Sequence, residues 1–151
     1  MKIEYRQAAI EDAELLIGIY NASFYSDYIK YGECPAYGKK KEEMELSIKK
    51  GAKYIIICDD IPAGVIGFDK KEKRDYYLNC LCVIPEYQGK GIGTQAFRYM
   101  LSIYPDWKRI TLVTPADKEQ NIKFYTEKCG FNLADRERHG NVEVVNFYRN
   151  R

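Results

Sequence analysis

Three observations predict an α/β (α+β) fold built on a central, mixed but mostly antiparallel sheet. First, period-2 and helical apolar patterns alternate along the chain. Second, the β-branched run Lys53–Cys58 meets the turn-forming Asp59-Asp60-Ile61-Pro62 and returns as Ala63–Asp69, the signature of an antiparallel hairpin. Third, Tyr76–Ile84 is an almost unbroken apolar and aromatic stretch, as expected of a strand covered on both faces at the centre of a sheet. The chain has 151 residues, of which 46% are hydrophobic, so a single domain spanning 1–151 with its own core is expected.

The elements follow in order. Ile3, Tyr5 and Gln7 alternate with polar partners in a first strand, and Ala13, Leu16, Ile17, Tyr20 and Phe24 then recur at helical spacing. Tyr25 to Gly38 carries four tyrosines with Gly32, Pro35 and Gly38, which predicts an irregular aromatic segment rather than continued helix. Lys39–Lys50 reads as a second helix, mostly solvated, with Met44 and Ile48 one turn apart. After the hairpin and the central run, Pro85 stops the strand. A short loop leads to a helix bearing Gly93, Phe97, Met100, Leu101 and Tyr104 on one side, and Arg109–Val113 forms another strand. Strand, helix, strand implies a right-handed crossover. Lys118–Lys128 is expected to be helical, with Ile122, Tyr125 and Cys129 on one stripe and Gly130 closing it. Two last strands flank the Arg138-His139-Gly140-Asn141 turn.

Composition removes several function classes. Lys+Arg minus Asp+Glu is 24 − 22 = +2 with the signs interspersed, so the broad positive field of a nucleic-acid binder is missing and no nucleic-acid partner is expected. The lone His139, in a Gly/Asn-rich turn, is a poor basis for a Ser-His-Asp triad or a histidine zinc site, and no metal is expected. Five cysteines, Cys34, Cys58, Cys80, Cys82 and Cys129, are odd in number and contain no C-x-x-C pair, which reads as reduced buried thiols. Neither a signal-peptide core nor an apolar run of about 18 residues occurs, so a soluble, cytoplasmic protein with no membrane partner is expected.

The segment that carries chemistry is Val83-Ile84-Pro85-Glu86-Tyr87-Gln88-Gly89-Lys90-Gly91-Ile92-Gly93. A central strand ends here, three glycines alternate and a helix begins. Such a turn lets successive free N–H groups converge on phosphate oxygens at a helix N-terminus, and Lys90 adds a full charge. The Walker pattern is absent, because Lys90 is followed by Gly-Ile-Gly, and the dinucleotide fingerprint G-x-G-x-x-G fails after Gly93. Gln88, Gly91 and Gly93 instead form Gln-x-x-Gly-x-Gly, which resembles the pyrophosphate-binding signature of the GNAT superfamily of N-acetyltransferases. Phe124-Tyr125-Thr126-Glu127-Lys128-Cys129-Gly130-Phe131 is similar to that family's second motif, in the same order along the chain. Together with the element order, the resemblance spans essentially the whole chain and implies a GNAT-like fold: a central mixed, mostly antiparallel twisted sheet of about six to seven strands, with helices on both faces and a splayed central strand pair.

It implies an acetyl-CoA-dependent enzyme that transfers an acetyl group to a primary amine by direct attack in a ternary complex. The alternative on the same fold is a non-catalytic coenzyme A-binding sensor or interaction module. The implied coenzyme A contacts are Leu81, Cys82, Val83, Gln88, Gly89, Lys90, Gly91, Ile92, Gly93, Thr94, Asn121 and Tyr125. The pantetheine arm is expected to insert where the central strand splays from Arg109–Val113, with an amide near Leu81–Val83 serving the thioester oxygen. By spacing alone Tyr125 is an apolar-stripe residue; the resemblance makes it the general acid that protonates the departing thiolate. A phenol of pKa near 10 is protonated at neutral pH and suited to that role.

The acceptor amine, of pKa about 10.4, must lose a proton before it attacks. Many family members place an acidic residue on the central strand for this, where this chain has Asn79. Asp75, Glu86, Glu33 or water are the alternatives. Cys80 and Cys82 are read as packing residues. The acceptor, a small molecule or a peptide amine, is expected between the first helix, the segment Tyr20–Tyr37 and the last hairpin, with Tyr rings and Glu33 able to attract a cation. A homodimer is left open.

Overall fold

The structure, a computed structural model, describes residues 1–151. Seven strands form one sheet: β1 (Ile3–Gln7), β2 (Ala52–Cys58), β3 (Ile61–Glu72), β4 (Asp75–Val83), β5 (Arg109–Pro115), β6 (Asn132–His139) and β7 (Val142–Asn150). Their spatial order is β1-β2-β3-β4-β5-β7-β6. Every neighbouring pair is antiparallel except β4 and β5. The mixed, mostly antiparallel sheet expected from the sequence is therefore present.

Four helices cover it. The first pair, α1 (Ala13–Tyr31) and α2 (Lys41–Lys50), packs on one face, where Leu16, Ile19, Tyr20, Met44 and Ile48 join Ile55, Val65, Cys80 and Cys82. On the other face lie α3 (Ile92–Ile103) and α4 (Glu119–Lys123), the latter running into a π-helical turn at Phe124–Lys128. Ile92, Phe97, Met100, Tyr125 and Phe131 there pack with Ile66, Phe68, Leu78, Leu112 and Phe147.

Local differences from the sequence expectation have clear causes. Tyr25–Tyr31 is helical rather than irregular: none of these residues breaks a helix, and the break comes only at Gly32, whose φ of 74° ends α1 with its N–H on the Tyr28 carbonyl. The tyrosines that suggested a loop pin the following segment instead, with Tyr28 stacked on Tyr37 at 4.5 Å. In the β2–β3 hairpin the turn is only Asp59-Asp60, both at positive φ (46° and 68°), and Ile61-Pro62 belongs to the returning strand. The expected Lys118–Lys128 helix changes from α to π at Phe124.

Two irregularities in β4 position everything that follows. Its parallel pairing with β5 lasts for three residues, Asp75↔Arg109, Tyr76↔Ile110 and Tyr77↔Thr111, after which the strands diverge. Along the other edge, Gly67 pairs with Cys80 while Phe68 pairs with Leu78, so Asn79 is the extra residue of a β-bulge. The bulge reverses the side-chain alternation. Tyr76 and Leu78 face the α3 side, whereas Cys80 and Cys82 face α1 and α2.

Candidate active site between the splayed strands

The divergence of β4 from β5 leaves the backbone edge of β4 beyond Tyr77 without a strand partner on that side. A cleft of about 420 Å³ opens there and runs to the N-terminus of α3. Its wall includes Leu81, Cys82, Val83, Gln88, Gly89, Gly91, Ile92, Gly93, Thr94, Asn121 and Tyr125, eleven of the twelve residues expected from the sequence to contact coenzyme A. Lys90 is the exception: it is exposed, outside the wall, with Nζ 5.4 Å from the centre of the Tyr87 ring.

The turn itself has the geometry of an anion cradle. Gly89 and Gly91 hold φ of 76° and 77°, and a Cβ on either would meet nothing within 4 Å. The first helical amide with a backbone acceptor is Gln95, on the Gly91 carbonyl at 3.2 Å. None of the amides from Gly89 to Thr94 donates to a backbone carbonyl. The Gln88 side-chain Nε2 donates to the Val83 carbonyl (2.9 Å), tying this loop to the end of β4. Gly93 has a different role: a Cβ would come within 3.1 Å of the Phe124 ring, so its bareness lets the π-helical turn pack against α3.

Sequence reasoning missed several wall residues, among them Phe24, Phe124, Gln120 and Lys128. Lys128 lies one helical turn after Tyr125, a spacing that signals a shared face, and it forms no salt bridge. Lys118 also lines the cleft, but its charge is taken by Asp27 at 2.8 Å.

A second cavity, of about 660 Å³, lies on the far side of this wall. It is bounded by α1, the segment after it, β4, β5 and the β6–β7 turn, which is where the acceptor pocket was expected. The two cavities share Phe24, Leu81, Asn121 and Tyr125. Tyr125 is 8% exposed, and burial pushes its phenol well above the ordinary value, so it stays protonated throughout the neutral range. The Asn121 amide donates to Thr114 Oγ1 at 3.0 Å and fixes α4 to β5.

Of the acids offered as alternative bases, Glu33 alone lines the second cavity, and one of its oxygens accepts the Asn141 N–H at 2.7 Å. Asp75 sits at the still-paired start of β4 and Glu86 in the exposed turn after it. Asn79 faces the cavity, and its Oδ1 accepts from Lys53 Nζ at 2.9 Å. That lysine is 3% exposed and also donates to the Tyr20 hydroxyl at 2.9 Å. Gly67 makes the arrangement fit, because a Cβ there would meet Asn79 Oδ1 at 2.5 Å and Lys53 Cγ at 3.1 Å.

Comparison with known proteins agrees with this geometry. The family model described as the Acetyltransferase (GNAT) family matches residues 16–131. The chain belongs to that family. Among solved structures of the same fold, the PaiA N-acetyltransferase of Thermoplasma acidophilum, in complex with coenzyme A, superposes with a TM-score of 0.79 at 22% identity, covering 97% of this chain and 98% of that one. The ribosomal-protein-S18-alanine N-acetyltransferase of Escherichia coli reaches 0.80 at 14% identity, over 99% and 94% of the two chains. A Bacillus subtilis relative, the uncharacterized protein YrkN, is 39% identical over 69 residues, which span 44% of this chain and 37% of that one. No helix of this GNAT-family chain is long and apolar enough to cross a membrane.

Proposed function

We propose that residues 1–151 act as one N-acetyltransferase unit, moving an acetyl group from acetyl-CoA to a primary amine by direct attack in a ternary complex. The observation that carries this reading is the pair of cavities meeting at Phe24, Leu81, Asn121 and Tyr125, one leading to free amides at a helix N-terminus and the other open to an acceptor. A donor and an acceptor entering from opposite sides meet at that shared wall without a covalent enzyme intermediate.

Acetyl-CoA supplies the activated thioester carbonyl. The amides of Gly89 to Thr94 bind the diphosphate, reinforced by the α3 dipole and by Lys128. The unpaired edge of β4 at Leu81–Val83 offers backbone groups to the pantetheine arm and the thioester oxygen. Tyr125 holds the proton that the leaving sulfur needs. The acceptor is a small-molecule or peptide amine, drawn to a cavity whose mouth carries Glu33 and Tyr31. Five free thiols favour a reducing, cytoplasmic setting.

The test is a thermal-shift titration with acetyl-CoA followed by a free-thiol release assay against a panel of primary amines. A ligand at 100 times its Kd stabilises by about 2.7 kcal/mol, enough to read as a shift in Tm. Acetyl-CoA stabilisation with amine-dependent thiol release is expected. Stabilisation without release from any amine instead assigns the chain a non-catalytic, coenzyme A-binding role.

A further inference from the structure

A buried ammonium must be paired or neutralised, and Lys53 presents that problem behind Asn79, which lines the acceptor cavity. Its two hydrogen-bond partners, Tyr20 and Asn79, are neutral side chains, and it forms no salt bridge with any carboxylate. Asp69 acts on it only from a distance. The remaining acidic groups beside it are the thiols that the bulge has turned toward α1. Cys80 lines the acceptor cavity and is 7% exposed. Its sulfur lies 3.7 Å from that of Cys82, which lines the coenzyme A cleft. The Tyr20 hydroxyl, which accepts from Lys53, belongs to the same buried cluster as Cys80 and Cys82.

We propose that Cys80, as a thiolate held by the Lys53–Tyr20 pair and the Cys82 thiol, is the base that takes the proton from the acceptor's ammonium group. The assignment rests on the transferase reading given above. In the first step an N–H bond of the ammonium breaks and an S–H bond forms on Cys80, leaving a free amine and a neutral thiol. The amine lone pair then forms the C–N bond at the thioester carbonyl. The C–S bond breaks with its electron pair on sulfur, which takes the Tyr125 proton, and the new amide nitrogen gives up its second proton to the phenolate. Release of the Cys80 proton to solvent completes a reaction that yields an amide, free coenzyme A and one proton. Lys53 and Tyr20 are positioning residues, because they act through Cys80.

The groups that act on Cys80 are Tyr20 from α1, Lys39 ahead of α2, Lys53 from β2, Cys82 from β4 and Tyr125 from the π-helical turn, with the Val65 carbonyl of β3 at 4.0 Å; Ser23 acts on Cys82, and Asp69 of β3 on Tyr20 and Lys53. The Cys82 thiol, with Lys53 and Tyr20 behind it, draws the Cys80 thiol below its ordinary value against the opposing effect of burial. Burial pushes Cys34, Cys58 and Cys129 up, so a thiolate formed at low pH is distinguishable from those three.

The experiment combines thiolate absorbance near 240 nm with the pH profile of kcat/KM. The acceptor is whichever of benzylamine, putrescine, glycinamide and a tripeptide amide turns over best. Wild-type protein is expected to show one thiolate step below the free-thiol value of about 8.5, absent in Cys80→Ser and moved upward in Lys53→Met. At pH 7, Cys80→Ser and Cys80→Ala should lose about a hundredfold in kcat/KM, recovering as the pH approaches the amine's own pKa, with acetyl-CoA stabilisation unchanged. Absence of the low step, or an amine acetylated with a profile that Cys80→Ser does not move, overturns the assignment and leaves the transferase reading intact. A low step in a protein that acetylates no amine refutes the transferase reading and the assignment with it.

Discussion

Gly91→Ala separates the fold's demand on the glycine turn from the ligand's. At φ 77° an alanine pays the left-handed penalty, about 1–2 kcal/mol. No steric clash adds to it, since a Cβ at Gly91 meets nothing within 4 Å. For a chain of this size each kcal/mol lowers Tm by roughly 2–4 °C. Gly38→Ala is the matched control: φ is 74°, the Cβ again meets nothing, and the residue lies outside both cavities. Both variants should therefore lose Tm equally. Only Gly91→Ala places its methyl where the diphosphate approaches, displacing at least one charge-assisted hydrogen bond worth about 1.5–3 kcal/mol. Calorimetric titration with coenzyme A should then show Kd weakened by roughly 10- to 100-fold for Gly91→Ala and unchanged for Gly38→Ala. Equal affinities in the two variants would show that the anion cradle is not at this turn.

Tyr125→Phe should reduce kcat by at least tenfold with coenzyme A affinity within twofold of wild type, because the hydroxyl is the only group removed from a ring that remains packed against Phe124, Phe131 and Phe147; unchanged steady-state kcat removes the proposed acid. Lys128→Ala should weaken coenzyme A binding several-fold and flatten its salt dependence, whereas Lys90→Ala, whose side chain lies outside the cleft, should do neither in titrations at two ionic strengths. Asp12 is held below the ordinary carboxylate value, first by its hydrogen bonds with Arg6 (2.9 and 3.1 Å) and also by the Ala9 N–H. A lowered folded pKa means that its contribution is fully present above the unfolded value of about 3.9 and is lost as pH falls from there through the folded value. Asp12→Asn should accordingly narrow its Tm deficit against wild type in melts taken across that acid window; a deficit constant with pH contradicts the pairing.

How much of this was legible in the sequence depends on the range of the forces involved. The hairpin, the central strand and the helix after it were readable because period and turn chemistry are local, and the Gln88–Gly93 segment was readable because a phosphate cradle must be built from consecutive backbone groups. Tyr25–Tyr31 was not legible, because its aromatic residues and the glycines after it suggest a loop while no helix breaker stands before Gly32. Lys90 carries charge at the glycine turn, but charge alone does not fix where an exposed side chain sits, and its ammonium lies over the Tyr87 ring rather than in the wall of the cleft. The buried Lys53 carried no signal at all. It stands in a β-branched run with no acidic partner nearby in sequence, and only the long-range pairing of β2, β3 and β4 brings it to Asn79 across the gap at Gly67.

That gap also explains why an amide rather than a carboxylate suits residue 79. Asn79 Oδ1 is 2.9 Å from Lys53 Nζ, so an aspartate of the same shape would meet the buried ammonium at ion-pair distance. The lysine charge would then be neutralised by the carboxylate, and a second anion one residue away would be opposed by like-charge repulsion. With the amide, the ammonium remains available to the thiol pair. Asn79→Asp should therefore fold, keep its acetyl-CoA stabilisation, and drive the Cys80 thiolate step above about 8.5 in the absorbance titration. A step that stays where wild type has it would mean that Lys53 is not the charge that holds the thiolate.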